Sequence, residues 1–203
     1  MRHVVSNITD PTLIVCWAVF AVVWVGGALL ERRRGAEVAG REGRDIASTV
    51  AAAGGLLAVL TPGSLWRPLA LASPAIRLVG FPILVVSTAG AVWARVALGA
   101  MWSSGALARE GHTLRTTGPY RLSRHPIYSA IIGMVAGTAL CGGIGRWAVI
   151  FVLVTAMLVV KARVEERLLL RKFGAAYGRY RQQVPRLSPR YADSRGRRDE
   201  NSH

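Results

Sequence analysis

The chain has 203 residues, room for one domain, of which 52% are hydrophobic and only 18% charged. Its apolar residues are gathered into long uncharged runs, which excludes an ordinary soluble domain and points to a membrane protein. The net charge of +15 invites a nucleic-acid reading, but position excludes it. All but five of the 26 basic residues fall within 32–44, 109–124 and 161–198, alternating with apolar runs as cytoplasmic segments do.

Five apolar segments follow in chain order. The first, 12–30, has no charge over 19 residues, about 28 Å as helix, which matches the hydrocarbon core. Glu31-Arg32-Arg33-Arg34 follows it where a cleavage site would need small residues, so it reads as a retained first helix and not a signal peptide. The second runs from about 46 to 60 and ends at Thr61-Pro62-Gly63. The third, about 76–98, tolerates Pro82 near its start, as membrane helices do. The fourth and fifth, 127–140 and 147–160, have only 14 residues each, a length typical of re-entrant or protein-buried helices. Cys141-Gly142-Gly143-Ile144-Gly145 makes a tight turn between them, so they are expected to form a short helical hairpin. Ser129, Gly133, Gly137 and Cys141 recur every four residues and place small side chains on one helix face, which lets backbones approach closely in lipid.

The expected fold is thus an all-α integral membrane protein of about five transmembrane helices. One domain would span 1–189, with three N-terminal helices in 12–98 and a core in 99–189, followed by a polar, poorly ordered tail at 190–203. Five arginines lie between the first two helices (Arg32, Arg33, Arg34, Arg41 and Arg44) and four between the third and fourth (Arg109, Arg115, Arg121 and Arg124). The other two connections carry fewer. An outside N-terminus and a cytoplasmic C-terminus satisfy this distribution. The Arg- and Ala-rich usage suggests a bacterial cytoplasmic membrane.

Two dense polar patches flank the last segments, and both fall on the cytoplasmic side. Gly118-Pro119-Tyr120-Arg121-Leu122-Ser123-Arg124-His125-Pro126-Ile127-Tyr128 precedes the fourth helix. Gly118-Pro119 signals a turn, and Pro126 sits at a helix first turn, which leaves His125 and Tyr128 beside unpaired N–H groups that favour anions. Glu165-Glu166-Arg167 through Phe173-Gly174, Tyr177 and Tyr180-Arg181 follows the fifth. Ionisable groups at membrane helix ends are costly unless they line a site. Simpler readings exist for both patches. Arg and Tyr anchor helices at headgroup depth, Lys161–Glu165 and Arg163–Glu166 have the spacing of helix-surface ion pairs, and a basic amphipathic helix on the membrane would look similar. Cys16 and Cys141, and the scattered His3, His112, His125 and His203, show no metal spacing, and no GxGxxG, Walker A or GxSxG sequence is present.

Together the patches resemble the isoprenylcysteine carboxyl methyltransferase family and its phospholipid methyltransferase relatives. The matching residues are Gly111-His112-Thr113-Leu114, Gly118-Pro119-Tyr120, Arg124-His125-Pro126-Ile127-Tyr128, Glu165-Glu166, Leu169, Phe173-Gly174, Tyr177, Tyr180 and Val184-Pro185, covering roughly 90–190. The resemblance implies an integral membrane methyltransferase that holds S-adenosylmethionine in a C-terminal, cytoplasmic pocket without a Rossmann domain. Carried over by position, His125, Tyr128 and one or both of Glu165 and Glu166 would contact the cofactor, and Gly118, Pro119 and Tyr120 would shape its pocket. Arg124 and Arg181 are the catalytic candidates, Arg181 for orienting an anionic substrate.

A sulfonium is already a good leaving group, so such a reaction needs mainly alignment. A carboxylate of Glu165 or Glu166 suits ribose hydroxyls or an ammonium, and His125 with its neighbouring N–H groups suits a carboxylate. Adjacent helix positions face different directions, so Glu165→Ala and Glu166→Ala are expected to differ sharply in cofactor affinity. Nothing in the chain identifies a prenylated protein as partner. The expected acceptor is a lipophilic small molecule or lipidated substrate entering from the bilayer, with membrane lipids as further partners and no nucleic acid. Two other classes stay open at this point. One is a sterol-reductase-like membrane enzyme using NADPH, which shares the RHPxY element but more often carries Asn where this chain has Ile127. The other is a non-catalytic membrane protein that binds a ligand in the same pocket.

Overall fold

The computed structural model describes residues 2–33, 60–66, 73–98, 114 and 116–187. Every regular element among them is helical. They are α1 (Arg2–Arg33), a one-turn α2 (Gly63–Trp66), α3 (Pro74–Leu98), a 3-10 turn (Gly118–Arg121), α4 (Pro126–Gly142) and α5 (Ile144–Gln183). The first, third, fourth and fifth predicted segments fall in α1, α3, α4 and α5. The second, 46–60, lies outside the described residues except for its last position, as does the tail at 190–203.

Close packing of α3 on α4 organises the bundle. Gly80, Leu84, Thr88 and Ala91 form the buried face of α3, at the three- and four-residue spacing that keeps side chains on one side of a helix. Opposite it runs the small-residue stripe of α4. A Cβ on Gly133 would stand 2.2 Å from Ser87 Oγ, one on Gly137 would stand 2.7 Å from the Leu84 nitrogen, and one on Gly80 would stand 3.0 Å from Cys141 Sγ. Backbones this close gain dispersion contacts that lipid cannot supply, the usual basis of helix association in a bilayer. The stripe's first member, Ser129, does something else and belongs to the site below.

Helix α1 lies across this pair. Cys16 joins Leu84, Ala91, Ala130 and Met134 in the core, with Leu13, Trp17, Phe20 and Trp24 packed against it. Phe20 and Trp24 stack at 4.3 Å, and Trp17 meets Phe20 edge-on at 5.8 Å. The Trp17 indole donates to Thr138 Oγ1 at 3.0 Å, and that hydroxyl donates to the Met134 carbonyl at 2.8 Å, so both buried polar groups are satisfied. The outer faces are the reverse of a soluble surface. Val22 on α1, Val86 on α3 and Val152 on α5 are 71%, 70% and 61% exposed, which only a hydrocarbon solvent accommodates on this scale. With α3 and α5 long and apolar enough to cross a bilayer, the chain is an integral membrane protein.

The expected hairpin forms, with Gly143 at φ 92° in its turn and the Trp147 ring packed where a Cβ on Gly142 would sit. Its second arm corrects the sequence reading. The fifth segment is not a short helix ending near 160, because α5 continues for 40 residues to Gln183. From Lys161 onward the sequence is rich in good helix formers and meets no Gly or Pro before Gly174, so the helix persists after its apolar stretch ends. Residues 146–173 form an unbroken rod of about 42 Å, longer than a bilayer core. Only α4, with 17 residues, stays short.

Gly137→Ala is expected to destabilise the bundle by roughly 1–3 kcal/mol through overpacking against Leu84. Gly26→Ala, at a position with nothing within 4 Å, should leave stability unchanged or raise it by up to about 1 kcal/mol. Thermal unfolding of the two variants in detergent checks the contrast.

Candidate active site

The two polar patches meet at one end of the bundle, beyond the apolar part of α5. Gly118, at φ 62°, starts the 3-10 turn beside Ala97 near the end of α3. The turn buries Pro119 and Tyr120, and the Pro119 carbonyl accepts from the Leu122 and Ser123 amides at 3.1 and 3.2 Å. His125 is the N-cap of α4, with Pro126 next to it inside the helix. This local chemistry, a turn followed by a Pro-initiated helix, delivers Arg124, His125 and Tyr128 to the same spot.

Across from them α5 presents its two acids. Tyr128 Oη donates to Glu165 Oε1 at 2.5 Å, and Glu165 Oε2 lies 3.6 Å from His125 Nδ1. Glu166 Oε1 lies 3.4 Å from His125 Nε2 and 3.0 Å from Arg124 Nη1. Arg186 then grips Glu166 with two prongs, Nε to Oε1 at 3.0 Å and Nη2 to Oε2 at 2.7 Å. The His125 and Tyr128 rings stack nearly parallel at 5.3 Å, and Lys161 Nζ sits 5.8 Å over the Tyr128 ring. Neither acid therefore takes the ion-pair partner that sequence spacing offered. Lys161 packs on Tyr128, Arg163 is exposed, and the acids are held by residues from α4 and from the chain after α5.

Both acids face His125, one for each ring nitrogen, but their surroundings differ. Glu166 has a side chain only 4% exposed, against 21% for Glu165. Burial alone would raise the Glu166 carboxyl. The contact with His125, the Arg186 hydrogen bonds and the charges of Arg124 and Arg186 outweigh it and bring the group down to about 2. Glu166 is thus an anion throughout the physiological range. Its hydrogen bonds in turn raise Arg186, with burial as the smaller opposing effect.

One oxygen, Glu166 Oε1, faces donors from Arg186, Arg124 and His125 together. Among the described residues, Arg124 Nε and Nη1, His125 Nε2 and the Tyr177 hydroxyl are buried without a hydrogen bond of good geometry, Arg124 Nη1 and His125 Nε2 keeping only their charge contacts with Glu166 Oε1. Tyr177 lies within electrostatic reach of Arg124, and burial with the nearby Glu166 charge keeps its hydroxyl protonated. The cluster therefore holds more donors than acceptors.

Of the residues nominated from sequence, Arg124, His125, Tyr128, Glu165 and Glu166 come together. Gly118, Pro119 and Tyr120 form the scaffold beneath them. Tyr120 takes part through its carbonyl, which accepts from Tyr180 Oη at 2.6 Å. Arg181 stands on the exposed side of α5, within electrostatic reach of Tyr177 but outside the hydrogen-bonded cluster. Sequence reasoning missed Arg186, one of 26 basic residues with no local cue. The only hint was the preceding Val184-Pro185, which ends a helix and turns the chain back. It also missed Ser123 and Ser129 as polar partners. Ser123 Oγ donates to the Arg186 carbonyl at 2.9 Å, and Ser129 Oγ donates to the Leu187 carbonyl.

Comparison with known proteins finds similarity in sequence and in fold. Residues 78–171 match the model of the isoprenylcysteine carboxyl methyltransferase (ICMT) family. The fold is similar to that of the eukaryotic intramembrane Ras methyltransferase ICMT, with a TM-score of 0.55 at 18% identity over 90% of this chain and 69% of the other. Two curated relatives are the cobalt-zinc-cadmium resistance protein CzcN of Cupriavidus metallidurans, 30% identical over 61% of this chain, and the nickel-cobalt-cadmium resistance protein NccN of Alcaligenes xylosoxydans xylosoxydans, 31% identical over 66%. The matches span only 54% and 59% of those relatives' lengths. Over residues 78–171 the chain is similar to the isoprenylcysteine carboxyl methyltransferase family, and its helical fold resembles that of a membrane methyltransferase. The family match ends at residue 171, before Tyr177, Tyr180 and Arg186 complete the site.

Glu166→Gln leaves the buried Arg124 guanidinium and the half-buried Arg186 guanidinium without their anion and should cost about 3 kcal/mol of stability. Glu165→Gln, at the more open carboxylate, should cost less, about 1–2 kcal/mol. Equal losses in detergent unfolding would contradict the different roles assigned to the two acids.

Proposed function

We propose that the chain catalyses methyl transfer from S-adenosylmethionine to a lipophilic acceptor at the membrane. The observation that carries this reading is the meeting of two motifs from separate helices. His125 and Tyr128 from α4 and Glu165 and Glu166 from α5 are joined by contacts of 2.5, 3.4 and 3.6 Å. A surface of interfacial anchors or helix-surface ion pairs would not draw them together.

The residues present fit the cofactor. The surplus of buried donors on Arg124, His125 and Tyr177 suits its carboxylate, and Glu165, the more accessible acid, suits its ribose hydroxyls or ammonium. When bound, it supplies an electrophilic methyl on a sulfonium sulfur. What remains for the protein is orientation, which contributes about 7–11 kcal/mol in well-aligned systems. The stacked His125 and Tyr128 rings and the short Tyr128–Glu165 bond make a fixed wall for that purpose. Arg124 adds positive charge for an anionic acceptor, and Arg181 on the exposed side offers a second cation at the margin. A carboxylate acceptor is already ionised at neutral pH and needs no general base. That chemistry matches Glu166, whose carboxylate is held as a weak base by two guanidinium groups.

A lipophilic acceptor would reach the site from the bilayer against which the valine-rich outer faces lie. The arginine distribution supports placing the site on the cytoplasmic side of a bacterial membrane, with the N-terminus outside. The relatives' names suggest metal resistance as a physiological setting. Metal ligation by this cluster is disfavoured, because Glu165 and Glu166 face opposite nitrogens of His125 and cannot converge with it on a single ion.

Titration of the purified protein in nanodiscs should show saturable S-adenosylmethionine binding and none of NADPH. His125→Ala should lose at least about tenfold in affinity, the worth of one charge-assisted contact. Saturable NADPH binding would support a reductase instead. Binding of neither would refute the cofactor assignment.

A further inference from the structure

We propose that residues 184–187 form a strap that holds the start of α4 against α5, and that Arg186 is its clasp. Arg186 is then a positioning residue for the cofactor site. The inference rests on the methyltransferase reading for its functional consequence, but not for its structure.

The strap begins with a change of direction. Helix α5 would carry the chain away from the site, but Gly174 adopts φ 49° and ψ −125° and breaks its course. A Cβ there would meet nothing within 4 Å, so glycine serves the backbone conformation and not a tight space. After this kink Tyr177 and Tyr180 turn inward and are buried with Val184, against Leu114, Leu169, Leu170 and Phe173. Burial, with Tyr177 nearby, raises the Tyr180 hydroxyl, so it remains a donor to the Tyr120 carbonyl. Val184 then takes an extended conformation and Pro185 prevents the helix from resuming.

The next carbonyls accept from amides and hydroxyls at the start of α4. The Arg124 amide donates to the Pro185 carbonyl at 2.9 Å and the His125 amide donates to the Arg186 carbonyl at 3.1 Å. Ser123 and Ser129 add their hydroxyls to the Arg186 and Leu187 carbonyls. Arg186 thus holds the backbone of His125 through its carbonyl and the carboxylate of Glu166 through its guanidinium. One residue sets the spacing between the helix that carries His125 and the helix that carries the acids.

Hydrogen exchange tests the strap without any cofactor. The Arg124 and His125 amides should be protected in the wild type and should exchange at least about tenfold faster in Arg186→Ala and in Glu166→Gln. Unchanged exchange would overturn the strap. Affinity for S-adenosylmethionine tests positioning. Arg186→Ala should weaken it about tenfold or more, and Arg186→Lys should recover part of the loss, keeping the charge but not the two-pronged contact. The Glu166→Gln/Arg186→Ala double variant should lose no more affinity than the worse single variant. Additive losses with no recovery by lysine, or lowered melting temperature with unchanged affinity, would reduce Arg186 to a purely structural role and overturn the positioning assignment. A wild type that binds no S-adenosylmethionine would refute the methyltransferase reading and the positioning role with it, while the exchange result would still decide the strap.

Discussion

The arrangement at the membrane edge depends on one buried carboxylate. Glu166 is an anion inside the protein, and an ion in that position is tolerated only when its charge and lone pairs are met. Arg124 meets it from the loop before α4 and Arg186 meets it from the chain after α5, so the two ends of the helical pair are pulled to the same point. A buried ion pair is poor as a source of net stability, since desolvation offsets most of the attraction. Its value here is register. Few other placements of α4, α5 and the returning chain would satisfy this carboxylate, and its neighbour Glu165 is carried into place beside Tyr128 as a result.

The division between the two acids follows from this geometry. Adjacent positions on a helix point about 100° apart, and the His125 ring fits between them with one nitrogen toward each. Glu166 faces inward and is saturated with donors. Glu165 faces the more open side, holding Tyr128 but keeping a measure of exposure. A site for a ligand with both a carboxylate and hydroxyl or ammonium groups needs this asymmetry, with surplus donors on one side and an accessible acceptor on the other.

Lipid explains why the rest of the bundle can be simple. Without a hydrophobic force between helices, close backbone approach is the main attraction, and Gly80, Gly133 and Gly137 provide it. The same four-residue stripe changes character at the membrane edge. At Ser129 the small residue becomes a hydrogen-bond donor to the returning chain, so packing and site construction share one face of α4.

Much of this was legible in the sequence. Long uncharged runs implied membrane helices because hydrocarbon accepts no unpaired charge, and four of the five segments lie in helices among the described residues. Gly-Pro, His-Pro and Gly-Gly marked turns because their backbones restrict or permit particular angles, and those turns formed. Arg124, His125, Tyr128, Glu165 and Glu166 were nominated and do converge. Val184-Pro185 read as a helix end and α5 does stop at Gln183, but the hairpin of the last two segments is not short as expected, because hydropathy reports where lipid ends and not where a helix ends. The ion pairs suggested by Lys161 and Arg163 did not form, because spacing along one helix says nothing about a stronger partner from elsewhere. Arg186 could be found only in three dimensions: it lies 20 residues from the carboxylate it holds, and only the kink at Gly174 and the turn at Pro185 bring them together. By itself the sequence determined the environment, the helices and the residue types of the site, since these follow from local chemistry. Which charge meets which was decided by the tertiary structure, because a buried ion takes the partner that geometry delivers.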